Sequence, residues 1–390
     1  MRPASVSDYR ELARRRLPRM LFDYIDGGSY AEVTMARNVG DMQQVALRQR
    51  VLRDVSKLKL DTELFGQPMK MPVVLSPIGM SGMYARRGEV QAARAAEKFG
   101  LPFTLSTVSI CPLEEVAAGV SAPPWFQLYM LRDRGYMNEL MARARAVQSP
   151  VLVFTVDLPL PGARYRDVRN GLSGSSTALE RAVRALRTAT HVDWLRDVGL
   201  GGKPHTFGNV VAAMPDAKGL NDFQGWVHRN FDPTITWKDL DWVRERWDGP
   251  IVIKGVLDPE DARACVLVGA QGLVVSNHGG RQLDGVLSGV RALPPIVDAV
   301  GDRLTVLMDG GVRSGLDVLK ALALGAKGVL IGRAWAYALA AGGQHTVEAM
   351  LATLRAELKT AMSLTGCTDV ADADRSLLAE NRNPQVNAPG

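Results

Sequence analysis

Eight short apolar runs, each followed by a helix-like stretch, recur between positions 71 and 341, and no other feature restricts the chain as strongly. The runs are 72–77, 103–106, 125–129, 151–157, 251–254, 273–276, 304–309 and 329–332. Valine, leucine and isoleucine dominate them, as in strands covered on both faces of a parallel sheet. Between them lie amphipathic stretches such as 89–99, closed by Gly100, and 133–147. Strands alternating with helices read as parallel βα units. Eight such units predict an α/β fold of the closed (β/α)8 TIM-barrel type. An open doubly wound sheet is the alternative, but no early Gly-x-Gly-x-x-Gly turn follows a strand.

Two segments stand outside the alternation. Positions 8–28 read as an N-terminal helical segment with Tyr9, Leu12 and Ala13 on one side, Arg14, Arg15 and Arg16 facing water, and a stop at Gly27 and Gly28. After the fourth strand, 165–237 is too long for an ordinary connection and is expected to be functional or mobile. Within it Leu179, Val183 and Leu186 recur at helical spacing, with Arg181, Arg184 and Arg187 on another side. Such a helix rests either on an anionic membrane surface or against protein, and periodicity does not choose. The expected organisation is one barrel domain over 1–380, the insertion 165–237 as its candidate membrane-facing segment, and a frayed polar tail at 381–390.

Composition narrows the setting. A net charge of +6 suits anionic ligands, anionic lipid or nucleic acid, and selects none of them by itself. Cys111, Cys265 and Cys367 lie far apart with no paired spacing, which argues against a zinc site or a disulfide framework and fits a reducing compartment. The N-terminus lacks the apolar core of a signal peptide, and no run approaches the ~20 apolar residues that span a bilayer. A protein of the cytosol, or one attached to a membrane from that side, is expected, with no nucleic-acid partner.

The strand ends carry the chemistry. Ser106, Gln127, Tyr129, Thr155, Asp157, Lys254, His278, Arg281, Asp309 and Arg333 all fall where an apolar run gives way to polar residues. The carboxyl ends of barrel strands form the active face, and a purely structural barrel needs few such groups there. A lone histidine is usually a satisfied loop residue. His278, however, leaves its strand beside Gly279 and Gly280, which permit close approach of a ligand, and imidazole is the natural proton acceptor near neutral pH. Asp157 is placed to orient it. The turns Asp309-Gly310-Gly311-Val312-Arg313 and Gly332-Arg333 follow the last two strands, where barrels often bind phosphate. Phosphate, lysine, glutamine and hydroxyls together suggest a phosphorylated aromatic cofactor such as FMN, with Lys254 stabilising negative charge on its ring. An ion pair plugging the barrel is the other reading of Lys254. Arg164 and Arg281 can clamp a carboxylate, whereas Arg166 and Arg169 read as surface cations. Nothing local decides whether Tyr24 is core filler.

On these residues the stretch 8–378 resembles the FMN-dependent α-hydroxy acid oxidising enzymes. The likeness is carried by 125–129, 276–284 and 309–313. Further similarity, to the family's bacterial quinone-linked branch that oxidises L-lactate, rests on 46–50, 82–89, 161–167 and 230–239. The resemblance implies that Ser106, Gln127, Thr155, Lys254, Asp309, Gly310, Gly311, Arg313, Gly332 and Arg333 hold FMN. It implies that Tyr24, Tyr129, Arg164 and Arg281 bind L-lactate or a similar 2-hydroxy acid, with Tyr129 also at the reacting centre. His278 then accepts a proton and Asp157 supports it. Electrons would pass to membrane quinone from a homo-oligomer held peripherally on the cytoplasmic face of the bacterial inner membrane. An oxygen-using oxidase and a mandelate-type dehydrogenase are the alternatives. Val108 stands where glycolate-oxidising members have tryptophan, and Gly79 where oxidases commonly carry alanine, which favours a dehydrogenase.

Overall fold

The computed structural model of the chain describes all residues except 1, 173–176, 215–216, 218–224, 227–228 and 380–390. The eight expected strands form within two residues of their expected bounds: β1 (Val73–Leu75), β2 (Thr104–Ser106), β3 (Trp125–Tyr129), β4 (Leu152–Thr155), β5 (Ile251–Val256), β6 (Gly272–Val275), β7 (Thr305–Met308) and β8 (Gly328–Ile331). All are parallel to their neighbours in chain order, and β8 returns to β1 with Val329 opposite Val73. A bridge from Leu75 to Phe103, just before β2, closes the ring. The fold is a (β/α)8 barrel.

Side chains two apart on a strand share a face. Val74, Val153, Val252, Val274, Leu307 and Leu330 form one buried cluster. Two residues further along each strand stand Ser76, Thr155, Lys254, Ser276, Asp309 and Gly332. One step toward the carboxyl end therefore changes an apolar plug into a polar layer. The opposite end is stoppered by an antiparallel hairpin, Thr62–Leu64 with Gln67–Met69. Phe65 and Gly66 turn it with φ of 53° and 76°, the twist a two-residue hairpin loop requires. From that turn Phe65 meets the Trp125 ring edge-on at 5.7 Å.

The N-terminal segment is helical but not continuous. Helix α1 (Val6–Arg16) ends at Leu17, and Pro18 starts α2 (Arg19–Asp26). Proline lacks the N–H that a through-running helix would need, which is why the expected single helix breaks there. Helix α3 (Val33–Gln44) was not expected, because its buried residues are Thr34, Asn38 and Met42 rather than an apolar stripe.

The insertion divides in two. Trp194, Val198, Phe207, Val210 and Phe231 are buried against the barrel. Asn209 fastens this part, donating to Ser106 O (3.1 Å) and Ser109 Oγ (2.9 Å) and accepting from Leu113 N (2.8 Å). The helix Ala178–Ala189 buries no residue, and Leu179 and Leu186 are 74% and 72% exposed. Among the described residues no helix is long and apolar enough to cross a membrane. The expected tail 381–390 lies outside the described residues.

Candidate active site

A cavity of about 350 Å³ opens at the carboxyl ends of the strands. Tyr24, Tyr129, Thr155, Arg164, Lys254, His278, Arg281, Asp309, Gly310, Gly311, Arg313, Gly332 and Arg333 all line it. Three expected residues do not. Asp157 stands behind His278, while Ser106 and Gln127 are sealed in the wall. Ser106 pairs opposite Gln127 in the sheet. The Gln127 amide oxygen accepts from Ser106 Oγ (3.2 Å) and its nitrogen donates to Thr155 Oγ1 (3.1 Å), so Thr155 is the member of this row that reaches the cavity.

His278 Nδ1 lies 2.9 Å from Asp157 Oδ1. A carboxylate there fixes the proton on Nδ1, which leaves Nε2 as the ring atom able to accept one. Burial and the charges of Lys254 and Arg164 outweigh the pull of Asp157 and hold the imidazole below its ordinary value, hence neutral near pH 7. Burial opposes ionisation of Asp157, yet His278 and Lys254 keep its carboxyl below the usual aspartate range. Gly255, at φ 113°, is required here: a β-carbon would stand 2.6 Å from Asp157 Cβ.

Lys254 is ion-paired inside the barrel and also lines the cavity. Its Nζ lies 3.1 Å from Asp309 Oδ2 and donates to Ser276 Oγ (2.9 Å). Although burial opposes the charge, Asp309 and Asp157 raise the lysine above its ordinary value, so a fixed cation sits beneath any ligand. Arg281 and Arg164 hold their guanidinium carbons 4.8 and 5.8 Å from the centre of the Tyr24 ring. Burial, then the like charge of Arg281, lowers the Arg164 value. Two cations crowded in this way call for an anion between them. Burial keeps the Tyr129 phenol protonated far above neutral pH, so it can donate a hydrogen bond.

The cradle for a phosphate can be tested from its charges. Arg333 donates to the carbonyls of Ile25 (3.1 Å), Gly279 (2.8 Å) and Gly27 (2.9 Å). Arg313 donates to its neighbour Val312 O (2.8 Å). Burial lowers both, Arg333 to about 10. Neither has a carboxylate within ion-pair distance among the described residues; Asp26, the acid whose charge both feel, is engaged by Arg10, Arg166 and Tyr337. The glycines at 310, 311 and 332 add no side chain on this wall, and Gly332 starts the helix Arg333–Gly342. Desolvated guanidiniums beside a helix N-terminus are suited to a phosphate. Asp309 Oδ1 is buried without a hydrogen-bond partner, while its Oδ2 pairs with Lys254. The residues present fit FMN.

Gly311 is held to its identity by φ of 94° and by the carbonyl of Asn38, into which a β-carbon would project. Gly311→Ala is expected to cost about 2–4 kcal/mol and to deplete bound flavin. Thermal unfolding and the absorbance of purified protein check this, and an unchanged, flavin-replete variant would show that the turn has room to move.

A barrel with this rim belongs to the enzymes that hold a phosphorylated redox cofactor at the strand ends. The family is given by comparison: FMN-dependent dehydrogenase matches residues 13–380, and the chain belongs to that family. It is 60% identical to the L-lactate dehydrogenase of Caulobacter sp. (strain K31), over 97% of this chain and 98% of that one. It is 58% identical to the L-lactate dehydrogenase of Xanthomonas oryzae pv. oryzae (strain PXO99A), over 99% and 98%. Among solved structures it superposes on the monotopic membrane protein (S)-mandelate dehydrogenase with a TM-score of 0.90 at 34% identity, covering 97% of this chain and 100% of that one. Against mandelate oxidase the TM-score is 0.81 at 39% identity, covering 95% and 97%.

Sequence reading missed several groups. Ser276, which joins Lys254 to the His278 backbone, sits two residues from each of Val274 and His278 and could have been found by alternation. Asp167, raised by burial against the pull of Arg281 and Arg164, brings a carboxylate to the cavity wall. Phe207 and Phe231 line it from the insertion, where no periodicity announced them. Arg166 is not a bare surface cation: it bridges Asp26 (2.8 Å) and Glu32 (2.5 Å), tying the insertion to the N-terminal segment that carries Tyr24.

Proposed function

We propose that the chain oxidises L-lactate, or a similarly short 2-hydroxy acid, to the 2-oxo acid and passes the electrons to a membrane quinone. The observation that carries this reading is His278, backed by Asp157, facing the same cavity as Arg164 and Arg281. The two guanidiniums take the substrate carboxylate, and Tyr24 and Tyr129 flank it. With its carboxylate held, the substrate presents its hydroxyl or its α-hydrogen to His278 Nε2, which accepts the proton. Asp157 then stabilises the imidazolium. FMN, when bound, would supply the acceptor for the two electrons that leave the substrate.

The pH dependence follows with a definite sign. The base must be neutral, and its value is lowered, so kcat/KM is expected to rise with pH to a plateau whose acid limb lies below ~6.5, the ordinary histidine value. An acid limb above neutrality would contradict the assignment of His278. The second reading is a mandelate-type substrate, favoured by the modest size of Val108 in the cavity wall. Comparing lactate, glycolate and mandelate as anaerobic reductants, and measuring peroxide yield in air, separates these readings. Fastest reduction by mandelate, or stoichiometric peroxide, would overturn the lactate-to-quinone reading.

For the membrane contact we infer the helix Ala178–Ala189. Its exposed Leu179, Val183 and Leu186 beside three arginines support this, as does the likeness to a monotopic membrane protein. Leu179→Ser with Leu186→Ser is expected to release the protein from vesicles of anionic lipid while flavin reduction by lactate stays unchanged. Undiminished vesicle binding would place the contact elsewhere. The reading is completed by a homo-oligomer on the cytoplasmic face of the bacterial inner membrane, each chain one barrel domain over 1–380 with 165–237 inserted.

A further inference from the structure

Helix α3 lies behind both glycine turns of the site. At Gly280 the approach is backbone to backbone, since a β-carbon there would stand 2.5 Å from Met35 N. Gly310 approaches the same helix one turn on, where a β-carbon would stand 3.2 Å from Asn38 Cγ, and Gly311 abuts the Asn38 carbonyl. Residues three apart lie on one helix face. The turn that carries His278 and the turn that carries Arg313 are therefore both pressed on one side of α3.

At the centre of that side Asn38 is 2% exposed. Its amide nitrogen donates to Asn277 Oδ1 (2.8 Å), and the Asn277 amide nitrogen donates back to Asn38 Oδ1 (2.8 Å). Asn277 also accepts from Gly280 N (3.0 Å) and donates to Leu287 O (3.0 Å), which spreads the pair across the whole turn. Asn38 Oδ1 accepts in addition from Gly289 N (3.3 Å). An apolar side chain at 38 would leave a buried amide without its partner.

The residue after Asn277 is His278, whose φ is 57°. A side-chain-bearing residue keeps that left-handed conformation only where its surroundings hold it, and such positions gather at functional sites. The histidine ring is held by Asp157 and its N–H by Ser276 Oγ (3.0 Å). Arg333 and Ser29 hold the carbonyls of Gly279 and Gly280, and Asn38 holds the side chain of Asn277 at the start of the turn.

We propose that Asn38 is a positioning residue that keeps the His278 turn and the Asp309–Arg313 turn in register, so that the proton acceptor and the phosphate cradle hold a fixed separation. The proposal rests on reading His278 as the base and 309–313 as the phosphate turn. It accounts for a buried polar residue in the middle of an otherwise unremarked helix, and for three glycines that the close approach of that helix demands.

The test uses holoenzyme saturated with FMN. Asn38→Ala removes the amide, and Asn38→Asp keeps its size but replaces the donor to Asn277 with a second, charged acceptor. Anaerobic single-turnover flavin reduction by L-lactate is followed against concentration and pH, and FMN affinity is read separately from fluorescence quenching on rebinding. The limiting rate is expected to fall ~10–100-fold in both variants, the scale for a misplaced reacting group, with little change in half-saturation by lactate. FMN affinity is expected to fall as well. Asn277→Ala should cause a similar loss, and the Asn38→Ala, Asn277→Ala double variant should be no slower than the worse single one, because both remove one clamp. Wild-type limiting rates in the flavin-saturated Asn38 variants, or losses that multiply in the double variant, would overturn the proposal. Unchanged FMN affinity would remove its phosphate-turn half. His278→Gln run in parallel keeps the two readings apart. If His278→Gln is inactive while the Asn38 variants reduce at full rate, only the positioning role fails; if His278→Gln reduces at full rate, the base assignment fails instead.

Discussion

His278→Gln is expected to slow anaerobic flavin reduction by L-lactate at least ~10³-fold while FMN stays bound. Glutamine can still reach Asp157 with its amide, so the polar pairing that closes this side of the cavity is kept. What it lacks is a basic lone pair: an amide oxygen does not hold a proton in water, whereas the imidazole Nε2, with Nδ1 engaged 2.9 Å from Asp157, does. Flavin retention follows because the phosphate cradle of Arg313 and Arg333 draws on other strands. Backbone strain at φ 57° is a separate effect, and His278→Asn controls for it, since asparagine tolerates that region. Stopped-flow absorbance gives the rate. Reduction within tenfold of wild type in the flavin-replete variants would mean that another group takes the proton.

Arg281→Lys is expected to raise half-saturation by lactate ~30–150-fold, the equivalent of about 2–3 kcal/mol for a lost charge-assisted pairing. The reason lies in how Arg281 is held. Its Nη1 donates to Tyr24 O (2.5 Å) and Gly27 O (2.8 Å), and the residue lines the cavity, so Nη2 and Nε remain for a ligand carboxylate. An ammonium is a point charge and cannot serve the helix end and a carboxylate at once. Gly27 O is also held by Arg333 at 2.9 Å, so the end of α2 and the flavin site stay in place when Arg281 is replaced. Steady-state kinetics with an artificial acceptor report the change. A shift below threefold would assign the carboxylate to Arg164 alone.

How far the sequence reached can be followed strand by strand. A buried parallel strand advertises itself by an apolar run, and the residue at which the run stops is the residue that reaches the cavity. Val252 to Lys254 and Leu307 to Asp309 were legible for this reason. Ser106 and Gln127, legible by the same rule, are hydrogen-bonded to each other in the wall next to the cavity-lining Thr155. Helix α3 was silent because its inner face carries Thr34 and Asn38, residues that bind turns rather than fill a core. The cavity walls from the insertion were silent for the opposite reason: Phe207 and Phe231 are ordinary apolar residues in a stretch without a period. The basic helix at 178–189 was recognised as amphipathic, and its exposure answers only the question of whether this chain covers it.

Under the proposed function an imidazole base and two carboxylate-binding guanidiniums act on a 2-hydroxy acid against bound FMN. The most direct test is the visible spectrum of the purified, FMN-loaded protein, free of oxygen, before and after L-lactate is added. The account predicts prompt loss of the flavin band and one pyruvate formed per flavin. A band that persists in FMN-loaded protein, with no pyruvate formed, would contradict it.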